Sequence, residues 1–137
     1  PAPARIALLG HQRWLKPDLT PREHLRVRAA LEGVRRGITP SAALRSVGLE
    51  GYEALPVRML SAGQRKRTAL AVLLLSTASL WLLDEPYANL DREGQVLVDR
   101  MIETHCRRDG AAILTSHGLV SPGLSRLATI TLRGSRP

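Results

Sequence analysis

The stretch "LSAGQRKRTALAVLLLSTASLWLLDEP", residues 60–86, carries three signals in succession. Ser61 and Gln64 make an S-x-x-Q pair, the pattern of a reciprocal helix cap, and a helix is expected from Ser61 to about Ser76. Leu80 to Leu83 follow as a continuous apolar run of strand length, of the kind found in a parallel sheet covered on both faces. Asp84 and Glu85 close that run at the strand end where open parallel sheets bind their ligands.

The same grammar continues on both sides. Ile6 to Leu9 reads as a buried strand ending at Gly10, and Thr20-Pro21-Arg22-Glu23 reads as a helix start. That helix is expected to reach about Arg35 and stop near Gly37. A second Thr-Pro start at Thr39 opens a helix ending at Gly48. Downstream, Leu90 to Arg108 reads as a helix with Gly110 as its stop. "AAILTS" (111–116) reads as a buried strand ending at His117, and "LATITL" (127–132) as a further strand. Strands alternating with helices predict an α/β sheet, with the helices between Thr20 and Leu55 as an all-helical insertion.

Composition narrows the classes. The chain has 137 residues, 44% hydrophobic, enough for one domain or a large piece of one. No apolar run reaches the roughly 18 residues of a membrane span, and the opening residues do not have the pattern of a secretory leader. The single Cys106 cannot pair internally, which fits a reducing, cytoplasmic setting. The net charge of +8 rests on 18 Arg and 2 Lys scattered along the chain. With aromatics at 3% and no Phe, the stacking platforms of a single-strand binder are missing, and no nucleic-acid partner is expected.

Each chemical motif has a bland and a functional reading. Asp84-Glu85-Pro86 is either a pair of acids in a surface turn or a division of labour. In the latter, one carboxylate holds Mg²⁺, largely through water, and the other polarises an attacking water. Ser61 and Gln64 either merely cap a helix or open an anion site. Arg65, Lys66 and Arg67 in the first turn oppose the helix dipole, which favours the second reading with phosphate as the anion. Ala62 and Gly63 are small enough for backbone amides to approach it. His117 and Gln12 each follow a strand, so both are expected at the edge that carries Glu85.

The order of these motifs resembles the nucleotide-binding domain of ABC ATPases. Gln12 matches the Q-loop, "LSAGQ" (60–64) the signature, "LWLLDEP" (80–86) the Walker B strand, "ANLD" (88–91) the D-loop and His117 the switch histidine. Within that superfamily the chain looks most like the ATP-binding subunit of the cytochrome c biogenesis haem exporter. That likeness rests on "LLGHQRWLKPDLTPREHL", "VGLEGYEALPVRMLSAGQRKRTALAVLLLS" and "LWLLDEPYANLD". The resemblance implies an ABC-type P-loop NTPase domain with a helical subdomain over about 18–60, a signature helix over 61–78 and an α/β core over 79–137. It implies ATP and Mg²⁺ as cofactors, a second ATP-binding subunit in a homodimer, integral membrane permease subunits and haem as an indirect substrate. The place implied is the cytoplasmic face of the cell inner membrane, peripherally bound.

Residue by residue, the resemblance makes Glu85 the general base and gives His117 contact with the γ-phosphate. Asp84 and Gln12 help to position Mg²⁺ and the water. Ser61, Ala62, Gly63 and Gln64 bind the nucleotide held by the opposite subunit, and Asp91 lies at the dimer interface. Trp14 and Leu15 either dock against a membrane subunit or pack in the core. Ala88-Asn89 departs from the usual D-loop, where Ser or Thr precedes Ala. Another small ABC transporter ATPase is the alternative. A nucleic-acid-associated ABC ATPase is a weaker one, because only residues 13–59 separate Gln12 from the signature.

One element is missing. No G-x-x-x-x-G-K-[ST] occurs in these residues, and neither Lys16 nor Lys66 sits in a Gly-rich turn. The expectation is a chain truncated before the Q-loop, with the P-loop strand absent from its place beside the Walker B strand and an apolar edge left open. By itself such a chain is expected neither to bind ATP tightly nor to hydrolyse it.

Overall fold

Three parallel strands, β1 (Ile6–Leu9), β2 (Leu80–Asp84) and β3 (Ala111–Thr115), form one sheet in the order β1-β2-β3. This computed structural model describes residues 5–117, 123–124 and 127–132. Leu8 pairs with Leu82, and Leu82 with Ile113, so the side chains of the three strands alternate in step. The helices are α1 (Pro21–Glu32), α2 (Pro40–Ser46), α3 (Ala62–Leu75) and α4 (Arg92–Arg107).

The predicted caps form. Thr20 Oγ1 accepts from the Glu23 amide at 3.1 Å while Glu23 Oε2 accepts from the Thr20 amide at 2.8 Å. Ser61 and Gln64 make the same exchange at 3.1 and 2.9 Å. Two stops differ from expectation. α1 ends before Gly33, whose φ of 78° turns the chain early enough for the Arg35 amide to reach the Leu75 carbonyl at 2.9 Å. After α4 the left-handed residue is Asp109, at φ 62°, rather than Gly110. Gly110 meets a different demand, since a Cβ there would run into the His105 ring.

One face of the sheet is covered. Leu9, Trp81 and Leu83 are buried on it, joined to Leu70, Leu73, Val98 and Ile102 from α3 and α4. The α3 face continues to Leu25, Leu44 and Leu49, so the helical segment and the sheet share one core. The other face is open: Ile6, Leu8 and Ile113 are 60%, 69% and 60% exposed. The expectation of buried strands covered on both sides is therefore corrected. A continuous apolar run makes both faces apolar, but among the described residues only one face has helices packed on it.

Two further expectations are corrected. β2 has β1 on one side and β3 on the other, so no additional strand fits beside the Walker B strand; among the described residues the open edges belong to β1 and β3. Residues 127–132 form no strand, and Ile130 and Leu132 are 86% and 91% exposed. A strand exists only as a paired element, and this segment engages neither open edge. Leu15 is buried and packs with Val57 and Leu60, whereas Trp14 is half-buried and meets His24 edge-on at 5.8 Å.

Two buried histidines make stability depend on pH. His24 Nε2 accepts from the Lys16 amide at 3.0 Å. His105 stacks on Trp81 at 3.8 Å, with Ser79 O at 3.1 Å from Nε2 and Arg35 at 3.3 Å from Nδ1. Burial holds both imidazoles below their ordinary value of 6.5, and the Arg35 cation lowers His105 further. The unfolded chain therefore takes up more protons below 6.5 than the folded one, so stability is lost as pH falls through that range. Urea midpoints measured from pH 7.5 to 5 are expected to fall. His105→Phe should flatten the slope, and an unchanged slope in that variant would refute the assignment.

Candidate active site

The parallel sheet delivers its three C-terminal strand ends to one edge, and the acids arrive there from β2. Thr115 Oγ1 donates to Asp84 Oδ1 at 2.6 Å, and the Glu85 amide donates to Thr115 O and Oγ1, both at 3.3 Å. Glu85 is thereby set at φ 49°, a left-handed conformation that a non-glycine residue adopts only under constraint. His117 reaches it directly, with Nε2 3.2 Å from Glu85 Oε1. The imidazole is 97% exposed and the Glu85 side chain about a third exposed, so the pair faces open space.

The start of α3 is tied to the same edge. Lys66 Nζ donates to the Glu85 carbonyl at 2.8 Å, and the Ala88 amide donates to that oxygen at 3.1 Å. Lys66 is 3% exposed; burial lowers its pKa, opposed by the charges of Asp84 and Glu85. A Cβ on Gly63 would meet the Asn89 carbonyl at 2.9 Å, so the glycine is needed where the helix start passes the loop after β2. Asn89 itself turns at φ 65°.

Each cation of the first turn donates a hydrogen bond to a carbonyl elsewhere in the chain. Arg65 Nε donates to Val57 O at 3.3 Å, Lys66 to Glu85 O, and Arg67 Nη1 to Val47 O at 2.7 Å. Arg67 also pairs with Asp91 at 3.4 Å. Three carbonyls on separate segments draw the side chains away from the helix end. The cap uses the amides of Ser61 and Gln64, while those of Ala62 and Gly63 keep the outward position of helix N-terminal donors.

Asp84, Glu85 and His117 thus come together. Gln12 sits in a 3₁₀ turn (Gln12–Trp14) just beyond the end of β1, and its Nε2 donates back to Gly10 O at 2.9 Å; no hydrogen bond joins it to the acids. Asp91 caps α4, with Oδ1 accepting from the Gly94 amide at 2.8 Å. Sequence reasoning passed over Thr115 and the inward direction of Lys66. The signal for Lys66 was available, because 66, 69, 70 and 73 fall on one helix stripe and the other three are apolar.

Residues 1–88 match the family described as ABC transporter. The chain belongs to that family. As an ABC transporter family member it is 53% identical over 130 residues to a protein of Xanthomonas campestris pv. campestris (strain 8004) named cytochrome c biogenesis ATP-binding export protein CcmA. That match covers 95% of this chain and 61% of the relative. A protein of the same name from Sodalis glossinidius is 41% identical over 128 residues, covering 93% and 61%. The chain thus spans about 61% of the length of these relatives. A solved structure titled as the dimeric post-hydrolysis state of the ATP-binding cassette MJ0796 bound to ADP and Pi superposes with a TM-score of 0.71. It is 20% identical and covers 83% of this chain and 53% of that one, which establishes likeness of fold. No helix among the described residues is long and apolar enough to cross a membrane.

Lys66 gives this family member a test of positioning. Lys66→Met removes the ammonium–carbonyl bond together with the cost of burying a cation, so stability is expected to change by no more than about 1 kcal/mol. Were Glu85 the general base that the family resemblance implies, ATP hydrolysis by the gene product would fall by about tenfold, because Glu85 loses one of its backbone anchors. A melting temperature and a kcat measured on one preparation separate the two effects. An unchanged kcat would mean that Lys66 only packs.

Proposed function

We propose that the gene product carrying these residues is the ATP-hydrolysing subunit of an ABC exporter serving cytochrome c biogenesis, with haem as the indirect substrate. The observation that carries the hydrolytic part is the 3.2 Å contact between His117 and Glu85 at the sheet edge. In this reading Glu85 accepts the proton of the attacking water, and His117 holds the γ-phosphate and the orientation of the carboxylate. The signature residues Ser61, Ala62 and Gly63 supply a hydroxyl and outward amides to the nucleotide of a second subunit, and Gln64 holds Ser61 in place. Asp91 stands at that interface as the cap of α4.

The donor set suits Mg²⁺ that is held mainly by phosphate oxygens and water. Asp84 offers one carboxylate whose Oδ1 is already oriented by Thr115, and among the described residues no group of three acidic, histidine or cysteine side chains is arranged to hold a metal ion by itself. Gln12 would join through water after its amide leaves Gly10. Bound Mg²⁺ would neutralise phosphate charge there. The names of the relatives support the export assignment in cytochrome c biogenesis. A homodimer, permease partners and peripheral placement at the cytoplasmic face of the inner membrane are part of the same proposal and rest on the family resemblance.

The test has two arms. The purified gene product is assayed for Mg-ATP hydrolysis, and the gene is deleted from its host with holocytochrome c measured by haem staining. Hydrolysis together with lost holocytochrome c is the expected result. Hydrolysis with normal holocytochrome c would move the subunit to another exporter, and no hydrolysis would overturn the enzymatic reading.

A further inference from the structure

The end of the sheet opposite Glu85 holds a second concentration of charge. A cavity of about 420 Å³ lies beneath the N-terminal ends of β2 and β3. Arg35, Arg36, Arg108, Thr77, Ser79 and His105 are among its lining residues. Strand β2 separates it from Glu85 by about 17 Å, at roughly 3.3 Å per residue. We infer that this cavity binds a small phosphate-bearing anion, independently of the ATP hydrolysis proposed above.

Arg35, Arg36 and Arg108 all line the cavity, the charge of Arg108 acts on Arg35, and none of the three takes part in an ion pair among the described residues. The one carboxylate on the wall, Asp109, leaves the cations in excess. Arg35 is half-buried, and both burial and the neighbouring Arg108 charge disfavour its charged form. Cations held close together in excess of the nearby carboxylate are relieved by an anion between them, and planar guanidiniums match phosphate oxygens in pairs.

The walls are fixed before any ligand arrives. The Arg35 amide is bonded to Leu75 O at 2.9 Å, and its guanidinium lies 3.3 Å from His105 Nδ1. His105 is stacked on Trp81 and bonded to Ser79 O, so the ring that orients Arg35 cannot turn freely. Arg5 donates to Thr77 Oγ1 at 3.0 Å, which leaves the Thr77 hydroxyl hydrogen to donate to an anion. The volume lies within the range of small-ligand sites and exceeds what a bare chloride needs. A diphosphate, a phosphorylated metabolite or the phosphate of a lipid headgroup shares the chemistry.

The test titrates the protein with sodium pyrophosphate by calorimetry and by the fluorescence of Trp81 in a Trp14→Phe background. In parallel, sedimentation compares vesicles of phosphatidylglycerol with vesicles of phosphatidylcholine. One pyrophosphate per chain is expected, with binding weakened about tenfold in Arg108→Gln and again in Arg35→Gln. Arg26→Gln makes the same charge change on exposed α1 and should bind as the parent does. Arg108-dependent binding to phosphatidylglycerol alone would identify the lipid headgroup as the source. The inference fails if neither probe binds, or if Arg26→Gln weakens binding as much as Arg108→Gln. Arg108 is exposed and follows the last turn of α4, so its variant keeps the test valid if Arg35→Gln unfolds the chain.

Discussion

Glu85→Gln is expected to lower Mg-ATP hydrolysis by the gene product roughly a thousandfold, the loss typical of removing a positioned general base. The substitution is nearly isosteric, and an amide oxygen can still face His117 across the present 3.2 Å. The backbone anchors from Lys66, Ala88 and Thr115 involve only the main chain of residue 85 and remain. Folding should therefore be unaffected and nucleotide should stay bound in the unhydrolysed form. Steady-state phosphate release, read beside the thermal midpoint, checks both halves. A rate within about tenfold of the parent would remove Glu85 from the role of base.

Trp81→Ala is expected to destabilise the chain by about 4 kcal/mol, the upper range for truncating a buried aromatic residue. Trp81 is 1% exposed at the centre of the covered sheet face, and its ring supports His105 in parallel contact at 3.8 Å. The truncation opens a cavity and frees His105, whose hydrogen bonds anchor α4 to the start of β2. Against a typical total of about 5–15 kcal/mol, that loss is a large share. Trp81→Phe should cost clearly less, because it keeps a ring and removes an indole N–H that is buried without a partner. Urea unfolding followed by far-ultraviolet circular dichroism orders the variants, and equal midpoints for both would contradict the packing account.

Local chemistry made part of this molecule legible. Both S/T-x-x-E/Q caps formed because each needs only residues three apart, and Asp84, Glu85 and His117 met because parallel strands place equivalent ends together. What the sequence concealed depends on distant partners. Nothing near Lys66 and Arg67 in the chain shows that they donate to Glu85 O and Val47 O. Gly37 reads as the stop of α1, yet the chain turns at Gly33, where the Arg35 amide can reach the Leu75 carbonyl. Gly110 reads as a left-handed terminator, yet Asp109 adopts that conformation and the glycine clears space for a ring. The strand order was also out of reach, since motif order along the chain does not say which strands are neighbours.

The uncovered face of the sheet has a thermodynamic signature. Ile6, Leu8 and Ile113 are already wet before unfolding and add little new hydration when the strands separate. The heat-capacity increment and the denaturant m-value both scale with newly exposed surface, so each should fall below the norm for 137 residues. The stability curve of this chain is then shallow: it loses little on cooling, and it melts over a broad interval because a weaker enthalpy drives the transition.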